Sequence, residues 1–384
     1  MKQQKPEGGA LRVLEILEPS GGGSGRHFLD LSAALKARGH HVEAVYSPLR
    51  AEARFVGELQ GLGLDGVHAI DMRRAPGPSD IAAWLKLERL IQSRGPFDVI
   101  HGHSSKAGAL SRLSLAGRKA ARIYTPHAFR TMDPGLGRGG RLLFGGIERL
   151  LGRNFGDALI AVSRDEFAHA LALGLPADRI HLVVNGTHPP PLERRPDTRK
   201  RLGLRPDSLV FGFIGRLSRQ KAPERLIAAF NLMAGRLPDA ELAMIGFGEL
   251  EPMVSELISA SPFSRRIHLD GAIPGPDAIA AFDILVMPSR YEAMSYVMLE
   301  AEAAAKPMIL TDVGGAATVL DDGRNGILVA NVDDPADLAE AMLAAGQPER
   351  LAAFRLEADR RKNRHSIDQM VEETIRVYRA AMAR

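Results

Sequence analysis

Two glutamates, Glu292 and Glu300, frame the segment Glu-Ala-Met-Ser-Tyr-Val-Met-Leu-Glu, just after the apolar run Ile284–Met287 and Pro288. A helix starting near Ser295 and Tyr296 directs its first N–H groups, and the positive end of its dipole, at an anion such as phosphate. Glu300 lies more than a turn further on and offers two acceptor oxygens to a ribose diol. Glu292 and Met294 precede the helix, where Glu292 can reach sugar hydroxyls. Upstream, Arg216 and Lys221 follow the run Leu209–Ile214. A forked guanidinium and a point-charge ammonium at a strand-to-helix exit can clamp a pyrophosphate. Without that function, the same residues are a helix cap and solvated charges.

The first half carries a second set. Gly21-Gly-Gly-Ser-Gly25 sits between an apolar run and the helical pattern from His27. Gly22 and Gly23 allow backbone N–H groups to approach a phosphate closely. The third glycine of a G-x-G-x-x-G dinucleotide fingerprint is missing. His103, Ser104 and Lys106 follow one strand candidate and His127 follows another, after Pro126. Polar groups at the carboxyl ends of parallel strands face the ligand crevice. His27, His103, Ser104, Lys106 and His127 are therefore the ligand-facing candidates of this half. No residue set is read as a metal site.

Short apolar runs alternate with helical patterns along the chain, which predicts βα units around parallel sheets. Strands are expected at 11–17, 42–46, 67–70, 99–101, 122–124, 158–162 and 180–184. A second series is expected at 209–214, 241–245, 267–269, 284–287, 308–310 and 326–329. Helices are expected at 27–38, 223–236, 335–344 and 367–382. The stretch 189–207, with Pro189, Pro190, Pro191, Pro196 and Pro206, reads as a linker. It separates a first domain, 1–188, from a second, 208–366. The closing segment 367–384 is assigned to the first domain.

The chain has 384 residues, 45% hydrophobic, and no cysteine. Disulfides and cysteine chemistry are therefore excluded, which fits a cytoplasmic protein. The polar start, Met1–Ala10, lacks the apolar core of a signal peptide. Residues 1–195 hold 27 Lys and Arg against 19 Asp and Glu, and residues 196–384 hold 23 against 27. The basic half suits an anionic partner. Dispersed charges and 5% aromatic content argue against nucleic acid.

These motifs together resemble the family 4 glycosyltransferases, over nearly the whole chain from the glycine loop to Gly326-Ile-Leu-Val. The resemblance implies the GT-B fold: two doubly wound Rossmann-like α/β domains facing each other across a cleft, with a C-terminal helix returning to the first. It implies transfer with retention from a nucleotide-diphosphate sugar, UDP- or GDP-linked, without a cofactor. It puts Glu300 on the donor ribose, Glu292 beside the donor sugar, Arg216 and Lys221 on the diphosphate and His127 near the reacting sugar, with 208–366 as the donor-binding domain, 1–188 as the acceptor-binding domain and His27, His103, Ser104 and Lys106 on the acceptor side. The leaving phosphate then takes the acceptor proton. Met294-Ser295 stands where the family usually has Phe-Gly, and a serine there is expected to cap the helix. No Asp-x-Asp metal motif occurs. The resemblance in the region Tyr124–Phe129 implies bacterial surface polysaccharide, exopolysaccharide or lipopolysaccharide assembly on a glycan or polyprenyl-linked acceptor.

The segment Arg138–Phe155 places Arg138, Arg141, Arg149 and Arg153 on one helical face and Leu143, Ile147, Leu150 and Leu151 on another. It reads either as a helix packed on the sheet or as a peripheral contact with the anionic inner face of the cytoplasmic membrane. Two rival functions stay open, a sugar-nucleotide 2-epimerase of the same fold and a non-catalytic nucleotide-sugar-binding protein, whereas a nucleotide-dependent dehydrogenase fails on the missing glycine and leaves Glu292 and Glu300 unexplained.

Overall fold

The computed structural model describes residues 9–384. Met1–Gly8, most of the segment considered for a signal peptide, lies outside them. The chain forms two compact units, Met1–Gly186 with Ile367–Arg384, and Thr187–Ser366.

Among the described residues, the first unit contains β1 (Arg12–Leu17), β2 (His41–Tyr46), β3 (Gly66–Ala69), β4 (Val99–His103), β5 (Ala121–Thr125), β6 (Ala158–Ala161) and β7 (Ile180–Leu182). They form one sheet in the order β3-β2-β1-β4-β5-β6-β7, every pair parallel. The second unit contains β8 (Leu209–Ile214), β9 (Ala240–Ile245), β10 (Ile267–Asp270), β11 (Ile284–Met287), β12 (Met308–Thr311) and β13 (Gly326–Val329). Their order is β10-β9-β8-β11-β12-β13, again all parallel. Each strand lies where an apolar run was read, because strands covered by helices on both faces are predominantly apolar. In each sheet the winding reverses once, between β1 and β4 and between β8 and β11, the positions at which such folds bind ligands.

The second core joins Phe211, Phe213, Leu242, Met244 and Val286 to helix residues such as Phe230 and Met342. In the first core, Val13, Val99, Ile123 and Ile160 meet Met370, Val371, Val377 and Tyr378 of the helix Ile367–Met382. That helix packs on the first unit although it follows the whole second unit in sequence.

Two expectations change. The helix expected at 27–38 spans Gly22–Ala37, so Gly22 and Gly23 form its first turn rather than a loop ahead of it. The proline-rich stretch read as a linker contains the helix Arg195–Arg201. Arg195 and Arg199 reach Asp283 at 2.9 and 2.7 Å, and this nearly buried carboxylate ties the helix to the second unit. The prolines mask that anchoring in the sequence.

Candidate functional site

In the second unit, β8 ends at Ile214 and the chain turns through Gly215, Arg216 and Lys221 into the helix Pro223–Met233. Backbone lies on backbone here: a Cβ on Gly246 would stand 1.9 Å from the Gly215 carbonyl oxygen, so only glycine fits. Arg216 is exposed, with no ion pair among the described residues. Lys221 Nζ lies 2.5 Å from Glu292 Oε1. Two segments 71 residues apart, singled out separately in the sequence, are thus in direct contact. Gln220 Nε2 donates to the Tyr291 carbonyl at 3.0 Å, and the Arg290 N–H donates to the Gln220 carbonyl at 2.8 Å, which stitches the two loops together.

The Glu292 loop leads into the helix Tyr296–Ala303, with Ser295 at its N-cap. The Ser295 side chain makes no capping hydrogen bond, contrary to expectation. The helix start therefore depends on packing: Met294, Ser295 and Tyr296 are buried. Gly314 presses on the loop, since a Cβ there would lie 2.4 Å from the Glu292 carbonyl oxygen. Glu300, one turn into the helix, is partly exposed. The second unit thus gathers two cations, a helix N-terminus and two carboxylates at the β8–β11 switch, a set suited to a nucleoside diphosphate and its sugar.

In the first unit, Gly22 and Gly23 open the helix Gly22–Ala37 just beyond β1, and Gly22 has φ 58°. One turn on, His27 is buried, and neither ring nitrogen is within hydrogen-bonding geometry of a partner among the described residues. Its ring centroid lies 4.7 Å from that of His127 and 5.4 Å from that of His103. Three of the predicted residues, His27, His103 and His127, are therefore brought together. Ser104 starts the helix Ser104–Arg112 at φ 67°. Lys106 turns elsewhere: its Nζ lies 2.5 Å from Asp80 Oδ2, which engages its charge.

Glu15, His101 and Tyr378, which sequence reasoning missed, join His103 at this end. Glu15, His101 and His103 are fully buried on β1 and β4. Glu15 Oε2 lies 2.6 Å from His103 Nε2, and Oε1 accepts from the Tyr378 hydroxyl at 2.9 Å. His101 Nδ1 is 2.7 Å from that hydroxyl, and Nε2 is 2.8 Å from Thr125 Oγ1. Burial pushes the Glu15 carboxyl up, but His101 and His103 outweigh it and hold it well below the usual range. Burial and His101 bring His103 down to about 4, against the pull of Glu15. Burial and neighbouring imidazoles also hold His27 and His127 well below the ordinary value. His27, His103 and His127 are therefore neutral near pH 7. Glu15 was detectable as a carboxylate inside an apolar strand, which must find donors. Tyr378 left no local signal.

His127 and Ala128 both adopt left-handed backbone, φ 51° and 79°. Non-glycine residues hold this conformation at a cost of about 1–3 kcal/mol each, so the surroundings must impose it. Glu166 does so: Oε1 accepts from the Ala128 N–H at 2.7 Å and Oε2 from the Val162 N–H at 2.8 Å. Burial pushes the Glu166 carboxyl up to about 7.

Nitrogens of His27, His103 and His127 lie within 4.8 Å of one another, as do the ligand atoms of Glu15, His101 and His103. Imidazoles and a carboxylate are suitable metal donors by type. Both nitrogens of His103 are engaged, however, by Glu15 and by His127 at 3.1 Å, and we assign no metal to either set.

Comparison with known proteins places this geometry. Residues 22–186 match the glycosyl transferase 4-like domain, and residues 208–347 match glycosyl transferases group 1. The D-inositol 3-phosphate glycosyltransferase of Xylanimonas cellulosilytica is 30% identical over 376 residues, covering 88% of each chain. Among solved structures, Anabaena Alr3699/HepE in complex with UDP-glucose aligns with a TM-score of 0.80 at 17% identity, over 96% of this chain and 100% of that one. WaaG, a glycosyltransferase involved in lipopolysaccharide biosynthesis, aligns with a TM-score of 0.72 at 17% identity, over 95% and 99%. These likenesses carry the GT-B fold. With both halves matched and one relative at 30% identity along most of its length, the chain belongs to the family 4-type glycosyltransferases and is a sugar-transferring enzyme.

Proposed function

We propose that the enzyme transfers a hexose, with retention, from a nucleotide-diphosphate sugar held by the second unit to a glycan or polyprenyl-linked acceptor of bacterial surface polysaccharide. The observation that carries the reading is the contact of Lys221 with Glu292 at 2.5 Å. Arg216, Lys221 and the N-terminus of the helix Tyr296–Ala303 take the diphosphate, and Glu300 takes the ribose. An arriving diphosphate competes for the Lys221 ammonium and frees Glu292 to accept from a sugar hydroxyl. The acceptor oxygen bonds to the anomeric carbon as the bond to phosphate breaks. The leaving phosphate oxygen takes the acceptor proton. Fixed cations stabilise the departing charge by preorganised electrostatics, so no divalent metal is required. The UDP-glucose complex of HepE supports a uridine donor, and the role of WaaG supports a surface-polysaccharide acceptor.

Calorimetry against UDP- and GDP-hexoses tests the donor. Lys221→Ala and Glu300→Ala should each weaken binding at least tenfold in folded protein. Near-normal affinity in both refutes the site.

No described helix is long and apolar enough to cross a membrane. The helix Arg138–Asn154 nevertheless exposes Leu142, Leu143 and Leu150 at 79, 62 and 58% beside exposed Arg149 and Arg153, while Leu151 is buried. An apolar stripe edged by cations suits an anionic bilayer surface, where the acceptor lipid resides.

A further inference from the structure

Lys221 and Glu292 belong to different loops, so something must fix the spacing of the ammonium and the carboxylate. Arg290, two residues before Glu292, meets the Lys221 loop and the helix after it at three points. Its N–H donates to the Gln220 carbonyl at 2.8 Å, its Nη1 donates to the Arg219 carbonyl at 2.8 Å, and the same Nη1 lies 2.8 Å from Glu224 Oε1. A third loop, after β13, takes the rest of the guanidinium. Asp333 Oδ1 accepts from Nη2 at 2.8 Å and from Nε at 3.1 Å, and Asn331 Nδ2 donates to the Arg290 carbonyl at 2.8 Å. Asp333 Oδ1 also accepts from Arg225 Nη2 at 2.7 Å, and Arg225 Nη1 donates to the Pro288 carbonyl at 3.2 Å, which closes a ring back to the chain just before Arg290. Two guanidiniums meet two carboxylates in this ring, so its charge is balanced. Arg290 itself bonds neither the Lys221 nor the Glu292 side chain among the described residues. A planar fork with donors on several sides can hold these partners at once, whereas a lysine ammonium is a single point.

We propose that Arg290 is a positioning residue that fixes the Lys221 ammonium against the Glu292 loop, so that its loss costs turnover far more than donor binding. The inference rests on the reading that Lys221 meets the donor diphosphate. In the ground state a loosened ammonium on a flexible stem still finds a phosphate oxygen, and Arg216 and the start of the helix Tyr296–Ala303 remain. As the bond to phosphate breaks, charge gathers on the leaving oxygen, and a cation already fixed there stabilises it without reorganising. Loss of uniform binding moves KM, whereas loss of an interaction made only in the transition state moves kcat.

The test is steady-state UDP release from UDP-glucose by Arg290→Ala and Arg290→Lys, with folding checked by circular dichroism. Arg236→Ala is the control, because its ion pair with Glu340 at 2.9 Å joins two exposed residues of the same unit. In Arg290→Ala, kcat should fall roughly 100-fold while KM stays within about threefold of wild type. Arg290→Lys keeps the charge and loses the fork, and its kcat should fall roughly tenfold. Arg236→Ala should change neither constant. If Arg290→Ala fails to fold, Arg290→Lys decides in its place. The proposal is overturned if the folded variant keeps kcat within about threefold of wild type, or if KM rises as much as kcat falls. Lys221→Ala separates this from the reading beneath it. Lost turnover in Lys221→Ala with normal turnover in Arg290→Ala removes the positioning role alone. Normal kcat and KM in Lys221→Ala put the diphosphate elsewhere, and both fall together.

Discussion

Substituting Gly314 by alanine tests how tightly the Glu292 loop must be held. The added Cβ would stand 2.4 Å from the Glu292 carbonyl oxygen and 3.2 Å from that of Ala293. An ordinary carbon–oxygen contact is about 3.4 Å, so the loop must retreat by about 1 Å. The obstacle is backbone, so no rotamer change relieves it. Overpacking of this kind costs about 1–3 kcal/mol, which a chain of this size tolerates. A misplacement of about 1 Å at a reacting centre costs roughly 100-fold in rate. Gly314→Ala should therefore fold, with kcat/KM for the donor down by roughly 100-fold, followed as UDP release from UDP-glucose. Gly57→Ala, with nothing within 4 Å of its Cβ, is the matched control and should stay active. Folded Gly314→Ala with activity within threefold of wild type would refute the claim that this loop positions Glu292.

Other consequences are equally concrete. Lys221→Ala leaves the Glu292 carboxylate without its partner and should cost about 1–3 kcal/mol by urea unfolding, less than for a fully buried pair. Adding Glu292→Gln should restore stability but not donor affinity. Glu166→Gln puts an amide donor against the Ala128 or Val162 N–H and should cost about 1–3 kcal/mol, loosening the His127 turn. Folded Glu166 keeps its proton up to about pH 7, whereas the unfolded residue releases it near 4.5. The native state binds more protons in that window, so this residue makes stability fall by up to about 3 kcal/mol as pH rises through it. Unfolding at pH 5 and pH 7 should lose this contribution in Glu166→Gln. Leu143→Asp with Leu150→Asp should abolish flotation with anionic vesicles while leaving UDP-glucose affinity intact.

Much of this was legible in the sequence. The strands could be read because parallel strands buried on both faces are continuous apolar runs, as in Leu209–Ile214 and Ile284–Met287. Arg216, Lys221 and Glu292 were legible from their positions just after such runs. What could not be read was contact over distance. Tyr378 reaches Glu15 across 363 residues, and Asp283 pins Arg195 and Arg199 in a stretch whose prolines suggest a linker. The glycine run was read as a loop because glycine is a poor helix former. Its first turn forms because Gly25 still bonds back to the Gly21 carbonyl at 2.9 Å. The buried histidine network was half visible: His103 and His127 stood at strand ends and Glu15 inside an apolar run, but Glu166, which holds the turn at His127 and Ala128, looked like an ordinary charge.

A crystal structure with bound UDP-glucose tests the central claim most directly. The account predicts the diphosphate within hydrogen-bonding distance of Arg216, Lys221 and the start of the helix Tyr296–Ala303, with the ribose on Glu300. A uridine diphosphate bound away from all four would contradict it.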